Sequence, residues 1–190
     1  MRDLLVIVAE IPEPEEPEMD ILTEAIRNSS FDSQLYLFES VGILCSLISK
    51  TPAEQSTVLL SLVKPLMDDL SVSFQAFRTN GPSDLVSIVK VHHIIMALGN
   101  IAKGFPDYPT TIPQNGITLP MEVFVEMTQA ILVCLKAMNV FKPIRDAVCC
   151  IYCITDAILK NCSCTDSLRL CKDFGDCRLY RYAFYPSFDE

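Results

Sequence analysis

The chain has 190 residues, of which 50% are hydrophobic and 21% are charged, so its composition excludes a mainly disordered protein. It contains only six glycines and few alternating Val, Ile and Thr runs, which argues against an all-β sandwich. The formal charge is -9, and residues 1–30 hold eight acidic and two basic side chains, while the rest is nearly balanced. These features predict a helical protein that lacks the overall basic surface of a general nucleic-acid binder, although a local basic strip stays compatible with them.

Membrane insertion is not expected from the sequence. No uninterrupted apolar run reaches the roughly 18 to 20 residues needed to cross a bilayer, and the first residues lack a signal-peptide cleavage pattern. We therefore expect a soluble intracellular chain. In that compartment the nine cysteines are expected to be thiols and not a disulfide framework.

Residues 1–30 are predicted to hold part of a helix followed by an acidic, proline-rich linker. Residues 2–9 have the composition of a helix end, whereas residues 11–18 contain three prolines, which remove backbone donors and fix φ. An acidic segment of this kind either attracts a basic partner or simply connects two helices. The simpler interpretation, an inter-helix linker, is preferred.

A helical pattern begins near Asp32. Four apolar residues follow at i, i+4, i+7 and i+11, and this stripe is predicted to face the core: Leu37, Val41, Leu44 and Ile48. The next helix starts at Thr51-Pro52-Ala53-Glu54, which has the form of a capping box with proline at the first helical position.

The helix that Thr51 opens should be bent and should be followed by a third helix. Its core face is predicted to be Leu59, Val63, Leu66 and Leu70, and Pro65 is expected to kink it near Ser61 and Leu62. Residues 80–82 (Asn-Gly-Pro) are then predicted to end this helix before the next one begins. The third helix is predicted to end at Lys103-Gly104, with a stripe formed by Leu85, Ile88, His92, Ile95, Gly99 and Ala102. Gly99 is expected to admit a closely packed neighbouring helix.

Two more helices follow a long loop at residues 105–119. The fourth is predicted to run from about Pro120 to Met138. Its solvated face is predicted to be Glu122, Glu126, Gln129 and Lys136, and its apolar face Val123, Met127, Ala130 and Cys134. The fifth opens at Phe141 and carries a stripe of Ile144, Val148, Ile151 and Ile158.

The spacing of these helices predicts an all-α fold, an α-solenoid of the HEAT or armadillo type built from antiparallel helix pairs. Units starting near Ser33 and Pro82, with a third pair whose later helix begins near Pro143, approach the roughly 40 to 47 residues of a two-helix repeat. Periodicity alone leaves a helical bundle open as an alternative.

Several segments resemble the karyopherin-β exportins. Residues 35–44 have a Leu-Tyr-x-x-Glu-x-x-Gly-x-Leu pattern, and Pro52-Ala53-Glu54-Gln55 is followed at residues 59–67 by a helix containing Pro-Leu-Met. Residues 91–105, with His-x-x-x-Ala-Leu-Gly-Asn-x-Ala-Lys-Gly-Phe, and residues 144–148 narrow the resemblance to the exportin-T, or tRNA exportin, branch. The similarity covers roughly residues 20–148.

The resemblance implies a fragment of a nuclear export receptor that binds tRNA together with Ran-GTP and carries tRNA from nucleus to cytoplasm through the nuclear pore. It implies shuttling between the two compartments, contact with nuclear pore proteins, and no catalysis. The repeats that grip Ran in this family have no counterpart here, so Ran-GTP would bind parts of the parent protein missing from this chain. The chain is therefore expected to be a fragment or an incomplete gene model.

The alternative function is a HEAT-repeat scaffold that binds proteins, or a karyopherin for protein cargo. The net negative charge and the small number of candidate bases favour it.

The sequence after Val148 departs from the exportin pattern. Residues 161–190 are rich in cysteine and aromatic residues and are expected to form a poorly ordered tail, compatible with translated intronic or frame-shifted sequence. A zinc site is the alternative, because Cys150, Cys153, Cys162 and Cys164 supply four thiolates. It is less favoured, since the first two cysteines fall inside a predicted helix. The chain is thus predicted to consist of three parts: a partial helix with an acidic linker at residues 1–30, helical repeats at residues 31–160, and the tail at residues 161–190.

No catalytic, cofactor-binding or metal-binding residues are predicted, and no cofactor is expected. His92 and His93 are adjacent on a helix and diverge by about 100°, so they cannot clasp one metal ion. Cys45 and Cys134 lie on apolar faces and are interpreted as core thiols. Asp68 and its neighbour Asp69 are interpreted as part of a solvated face.

RNA binding would require cations directed at phosphates. Five basic residues near predicted helix ends or kinks are the candidates for RNA contact: Lys64, Arg78, Lys103, Lys142 and Arg145. Any one of them is also compatible with an ordinary surface role. Arg145 and Asp146 additionally match the pattern of acidic and basic side chains that ladder between neighbouring HEAT repeats.

Overall fold

A computed structural model describes residues 21–48, 51–105 and 121–159, and these residues form α-helices and short segments at their ends. The predicted helix at residues 2–9, the acidic linker, most of the loop at 105–119 and the tail at 161–190 lie outside the described residues. The helices are α1 (Ile21–Arg27), α2 (Phe31–Ile48), α3 (Pro52–Asn80), α4 (Leu85–Lys103), α5 (Met121–Met138) and α6 (Lys142–Leu159).

Local capping interactions fix the ends of α3 and the start of α4. The Thr51 hydroxyl accepts from the Glu54 amide at 3.2 Å, and the Glu54 carboxylate accepts from the Thr51 amide at 3.2 Å, which confirms the predicted capping box. Gly81 ends α3 with φ of 81°, a conformation that favours glycine. Asp84 caps α4 by accepting from the Ser87 amide at 3.1 Å.

The helices pack in two rows. Helices α2, α4 and α6 lie side by side in one row, and α3 and α5 are neighbours in the other. Within each row a helix therefore contacts the helix two places along the chain, as repeated helix pairs do when they stack. This arrangement confirms the all-α fold and is that of an α-solenoid.

The repeat boundaries differ from the prediction. Helix α3 packs far more extensively on α4 than on α2, and α5 packs on α6. The helix pairs therefore begin at α3 and α5, and the predicted unit starts near Ser33 and Pro82 were one helix out of phase. Helix α3 continues through Pro65 without a break.

Helix α4 is the centre of the described fold. It contacts each of the other five described helices, and twelve of its residues are buried, including Ile88, Ile95 and Leu98 at 0% exposure. By length and apolar composition it is the one described helix that could cross a membrane. However, 67% of its most apolar 18-residue stretch is buried within the protein. Its apolar composition is accounted for by its place in the core.

Glycines allow the helices of this row to touch. A Cβ on Gly42 would overlap the Ile101 carbonyl oxygen, and a Cβ on Gly104 would overlap the Glu39 carbonyl oxygen. A Cβ on Gly99 would overlap the side chain of Ile151 on α6, which confirms the predicted close approach at Gly99. Gly104 has φ of -69°, so its role is this close contact and not a left-handed helix stop.

The core face predicted for α2 was wrong. Leu37 and Leu44 are 52% and 54% exposed, whereas Phe38 and Cys45 are 1% and 2% exposed. The buried face of α2 instead carries Phe31, Phe38, Gly42 and Cys45 and packs on α4. The core faces predicted for α3 and α5 are confirmed: Leu59, Val63, Leu66, Leu70, Val123, Met127 and Cys134 are buried, and Ala130 is half-buried against the same core.

Candidate nucleic-acid interface

Three of the five candidate RNA-contacting residues form salt bridges with acidic neighbours. Lys64 pairs with Asp68 at 3.5 Å, and both side chains are largely exposed. Lys142 pairs with Asp146 at 2.9 Å within the first turns of α6. Such exposed pairs contribute little to stability, so a phosphate could replace the carboxylate at small cost.

Lys103 is held more firmly than the other two lysines. Its Nζ donates to Glu39 of α2 at 3.0 Å, across the contact between α2 and α4. The pair lies next to the close approach of Gly42 and Gly104. Lys103 therefore ties two helices of the row together.

Arg145 has a structural role in the turn between α5 and α6. Its guanidinium donates to the carbonyls of Asn139 at 2.6 Å and Val140 at 3.2 Å, where α5 ends. These carbonyls have no helical donor, so Arg145 satisfies acceptors that would otherwise rely on water. The predicted ladder of Arg145 and Asp146 between repeats was wrong, because Asp146 pairs with Lys142 on its own helix.

Arg78 differs from the other four candidates. It is exposed in the last turn of α3, and the described part of the chain offers it no hydrogen bond or salt bridge. Two exposed bases that the sequence analysis did not select share this condition within the same described residues: Arg27, in the last turn of α1, and Lys136, in the last turn of α5. The signal that could have found them is the one used for Arg78, a cation in a terminal helical turn.

The structure brings several of these bases to one end of the helix rows. Phe77 of α3 meets Phe141 at a ring distance of 6.0 Å, so the C-terminal ends of α3 and α5 lie at the same end. Arg78, Lys136 and Lys142 are therefore at that end, whereas Lys103 is at the C-terminal end of α4 and Lys64 is in the middle of α3. The five candidates do not form one cluster.

The histidine pair is part of the core. His93 is fully buried and stacks on Phe31 at 4.1 Å, with its Nε2 3.3 Å from the Ser29 hydroxyl. That hydroxyl donates to the Ile26 carbonyl, so His93 carries its proton on Nε2 and donates to Ser29. Burial lowers the pKa of His93 to about 4.

His92 is a half-buried residue of α4. Burial lowers its pKa to about 4, His93 adds to this effect, and Asp146 opposes it. Within the described residues, the Nδ1 atoms of both histidines are buried and have no hydrogen-bond partner. Both rings are therefore neutral near pH 7, which agrees with the interpretation of the pair as packed histidines.

The cysteines Cys45 and Cys134 are core thiols, as predicted. Both are 2% exposed, and burial raises the pKa of both thiols, that of Cys134 to about 12. They are consequently poor nucleophiles and poor metal ligands at neutral pH. Within the described residues no three His, Cys, Asp or Glu side chains gather as a metal site would require. Of the alternative zinc set, Cys162 and Cys164 lie outside the described residues, and Cys150 and Cys153 lie in α6 with side chains that the structure does not describe.

The family model and the related proteins all indicate the same family. The Exportin-T family model matches residues 1–154. Proteins named Exportin-T from Laccaria bicolor, Coprinopsis cinerea and Mycosarcoma maydis are 71%, 59% and 40% identical over 147, 148 and 147 residues. Each match covers 77% of this chain, and the chain spans only 13% to 14% of the length of these relatives. The matched region contains every described helix except the last residues of α6, and the chain therefore belongs to the Exportin-T family.

Proposed function

We propose that this chain is a segment of a nuclear export receptor that binds tRNA together with Ran-GTP and carries tRNA from the nucleus to the cytoplasm. The observation that carries the proposal is the family match over residues 1–154, with 71% identity to a relative named Exportin-T. The receptor would shuttle through the nuclear pore in contact with nuclear pore proteins. Ran-GTP would bind parts of the receptor outside this segment.

The fold suits a transport receptor better than an enzyme. Its two rows of helices hold both histidines and the thiols of Cys45 and Cys134 in neutral form, and its exposed helix ends are available for binding. A folded RNA is recognised mainly through its phosphates and shape. Exposed cations at helix ends are therefore the groups of this segment that would contribute to binding.

Among the five candidates, Arg78 is the residue for which RNA contact is best supported. It needs no partner to be released before it binds phosphate, whereas Lys64, Lys103 and Lys142 must first leave a carboxylate. A guanidinium also presents two parallel donors to a phosphate. Arg145 is the least suitable, because its donors already satisfy the end of α5.

The test is a titration of the full-length receptor containing this segment with tRNA, in the presence and absence of Ran-GTP, at several salt concentrations. Arg78→Gln should weaken tRNA binding several-fold and lower the slope of log K against log salt by about one. Arg78→Lys, which keeps the charge, should retain most of the affinity. Asp69→Asn is the control for an exposed charge change on the same helix.

Two results would contradict different parts of the proposal. A wild-type receptor that forms no ternary complex with tRNA and Ran-GTP would reject the function itself. Normal tRNA binding with an unchanged salt slope in Arg78→Gln would reject only the role of Arg78.

The second candidate function is a karyopherin or scaffold for protein cargo. It is favoured by the pairing of Lys64, Lys103 and Lys142 with acidic residues and by the net charge of -9. A pull-down from nuclear extract separates the two functions. Recovery of tRNA with the receptor supports the first, and recovery of proteins without tRNA supports the second.

A further inference from the structure

Helix α2 has two apolar faces, and only one of them is covered in the described structure. The face carrying Phe31, Phe38 and Cys45 packs against α4. The opposite face of the helix carries five exposed large apolar side chains: Tyr36, Leu37, Ile43, Leu44 and Leu47. Tyr36 and Leu47 are 74% and 75% exposed.

These five residues form a continuous stripe and not a scatter of single exposed side chains. Their spacing of three, four and seven residues places them on one side of the helix, over about 16 Å. Single exposed apolar residues are common on protein surfaces, but a contiguous apolar stripe marks a site of contact. We call these five residues the outer stripe of α2.

The position of α2 in its row explains where a covering element would lie. Helix α4 has α2 on one side and α6 on the other, and it is buried on both sides. Helix α2 has α4 on one side, and its outer stripe is on the opposite side. In both rows each helix contacts the helix two places along the chain. The neighbour on the open side of α2 should therefore come from the chain before α1.

The sequence before α1 contains one segment suited to that position. Residues 4–9 are six consecutive apolar residues, Leu-Leu-Val-Ile-Val-Ala, followed by Ile11, whereas residues 12–20 are mostly proline and acidic residues. The family match begins at residue 1, so this segment belongs to the same family domain as the described helices. The segment at residues 161–190 lies outside that match.

We propose that residues 4–11 pack against the outer stripe of α2 as the next member of its row. Residues 12–20 can span about 30 Å when extended, which is comparable with the length of α2, about 27 Å. The linker is therefore long enough to bring residues 4–11 back along α2. The contact would bury the outer stripe, which no described helix covers, together with the apolar side chains of residues 4–11.

Photo-crosslinking of the full 190-residue chain tests the proposal directly. Tyr36→p-benzoylphenylalanine and Leu47→p-benzoylphenylalanine place the probe at two points of the outer stripe. After irradiation, mass spectrometry should find crosslinks to residues 4–11. The same probe at Val72, which is 69% exposed on α3, is the matched control and should give none to that segment.

The test depends on whether the crosslinked segment belongs to the same chain as the probe or to a second copy. Irradiation of a mixture of ¹⁴N- and ¹⁵N-labelled chains distinguishes contacts within one chain from contacts between chains. Crosslinks within the chain to residues 4–11 support the proposal. Crosslinks between two copies, crosslinks to residues 161–190, or equal labelling from Val72 would each overturn it.

A second measurement does not depend on the probe. The double substitution Leu5→Ser with Ile7→Ser should increase amide exchange in α2, because the outer stripe loses its cover. It should also raise the fluorescence of a hydrophobic dye, while exchange in α5 stays unchanged. Glu13→Ser with Glu15→Ser in the linker is the control and should leave both signals as in wild type. Unchanged exchange in α2 for the first variant would also reject the proposal.

Discussion

At the residue scale, the contact between α2 and α4 includes a close approach of their backbones at two glycines. Gly42 and Gly104 bring the two helices together so closely that a methyl group on either would overlap a carbonyl oxygen of the other helix. Lys103 and Glu39 form a salt bridge at 3.0 Å beside this contact. The close approach allows no side chain at either glycine without a shift of the helices.

Gly42→Ala separates this steric effect from helix propensity. Alanine stabilises a helix interior relative to glycine by about 1 kcal/mol. Overlap with the Ile101 carbonyl oxygen should reverse the sign and destabilise the protein by about 1 to 3 kcal/mol in urea unfolding. Ser40→Ala, at an exposed position of the same helix, should change stability by less than about 0.5 kcal/mol. A Gly42→Ala variant that is more stable than wild type would contradict the close approach.

His93 should make stability depend on pH below neutrality. Its pKa is lowered from 6.5 to about 4 by burial, so the unfolded chain binds protons more readily than the folded protein in this range. The free energy of unfolding contributed by His93 is therefore full above pH 6.5 and falls as pH decreases toward 4, by at most about 1.4 kcal/mol per pH unit. His92 acts in the same direction.

Urea unfolding from pH 7 to pH 4.5 measures this dependence. In His93→Gln, which keeps a donor for Ser29, the loss of stability over that interval should be smaller than in wild type. NMR of the His93 ring gives an independent readout, and its resonances should stay those of neutral imidazole down to pH 5. Titration of the ring near pH 6.5 would contradict the burial of a neutral histidine.

At the element scale, helix ends are set by local contacts and helix faces by distant ones. The capping box at Thr51 and the glycine at position 81 act within a few residues, which is why the start and end of α3 could be predicted from the sequence. The apolar face of α3 could also be predicted, because Leu59, Val63, Leu66 and Leu70 form one stripe at helical spacing.

Helix α2 shows where such prediction fails. Its residues Phe38 and Leu44 belong to two apolar faces of the same helix, and periodicity cannot determine which one packs on α4. The close approach at Gly42 favours the face carrying Phe38, a tertiary contact that the local pattern does not show. The hydrogen-bond partners of Lys103 and Arg145 depend on neighbouring elements in the same way. The candidate basic residues could therefore be selected from the sequence, but their partners and relative positions could not be predicted.

Removal of the cap on α3 tests the local contribution. Thr51→Ala should destabilise the protein by about 1 kcal/mol, because the Glu54 amide loses its acceptor and the Glu54 carboxylate loses its fixed position. Thr51→Ser should retain most of the stability. Thr57→Ala, on the exposed surface of the same helix, is the control. Equal effects of the two alanine substitutions in thermal unfolding would show that the cap contributes nothing specific.

At the scale of the whole molecule, α4 connects both rows. It contacts each of the other five described helices, so their packing energies are coupled through one element. Helix α4 belongs to the middle helix pair, so the helices on both sides of that pair pack on it. Within the described residues the fold should consequently unfold as one cooperative unit.

Ile95→Ala tests this coupling, since the side chain is 0% exposed in the middle of α4. The cavity should lower the free energy of unfolding by about 2 to 5 kcal/mol. Because α4 is shared, hydrogen exchange followed by mass spectrometry should show faster exchange in α2, α3 and α6 together. Val133→Ala, 56% exposed on α5, is the control and should leave all of these helices protected as in wild type. Faster exchange confined to α4 would mean that the rows unfold independently, because destabilising a shared helix must otherwise expose every helix that packs on it.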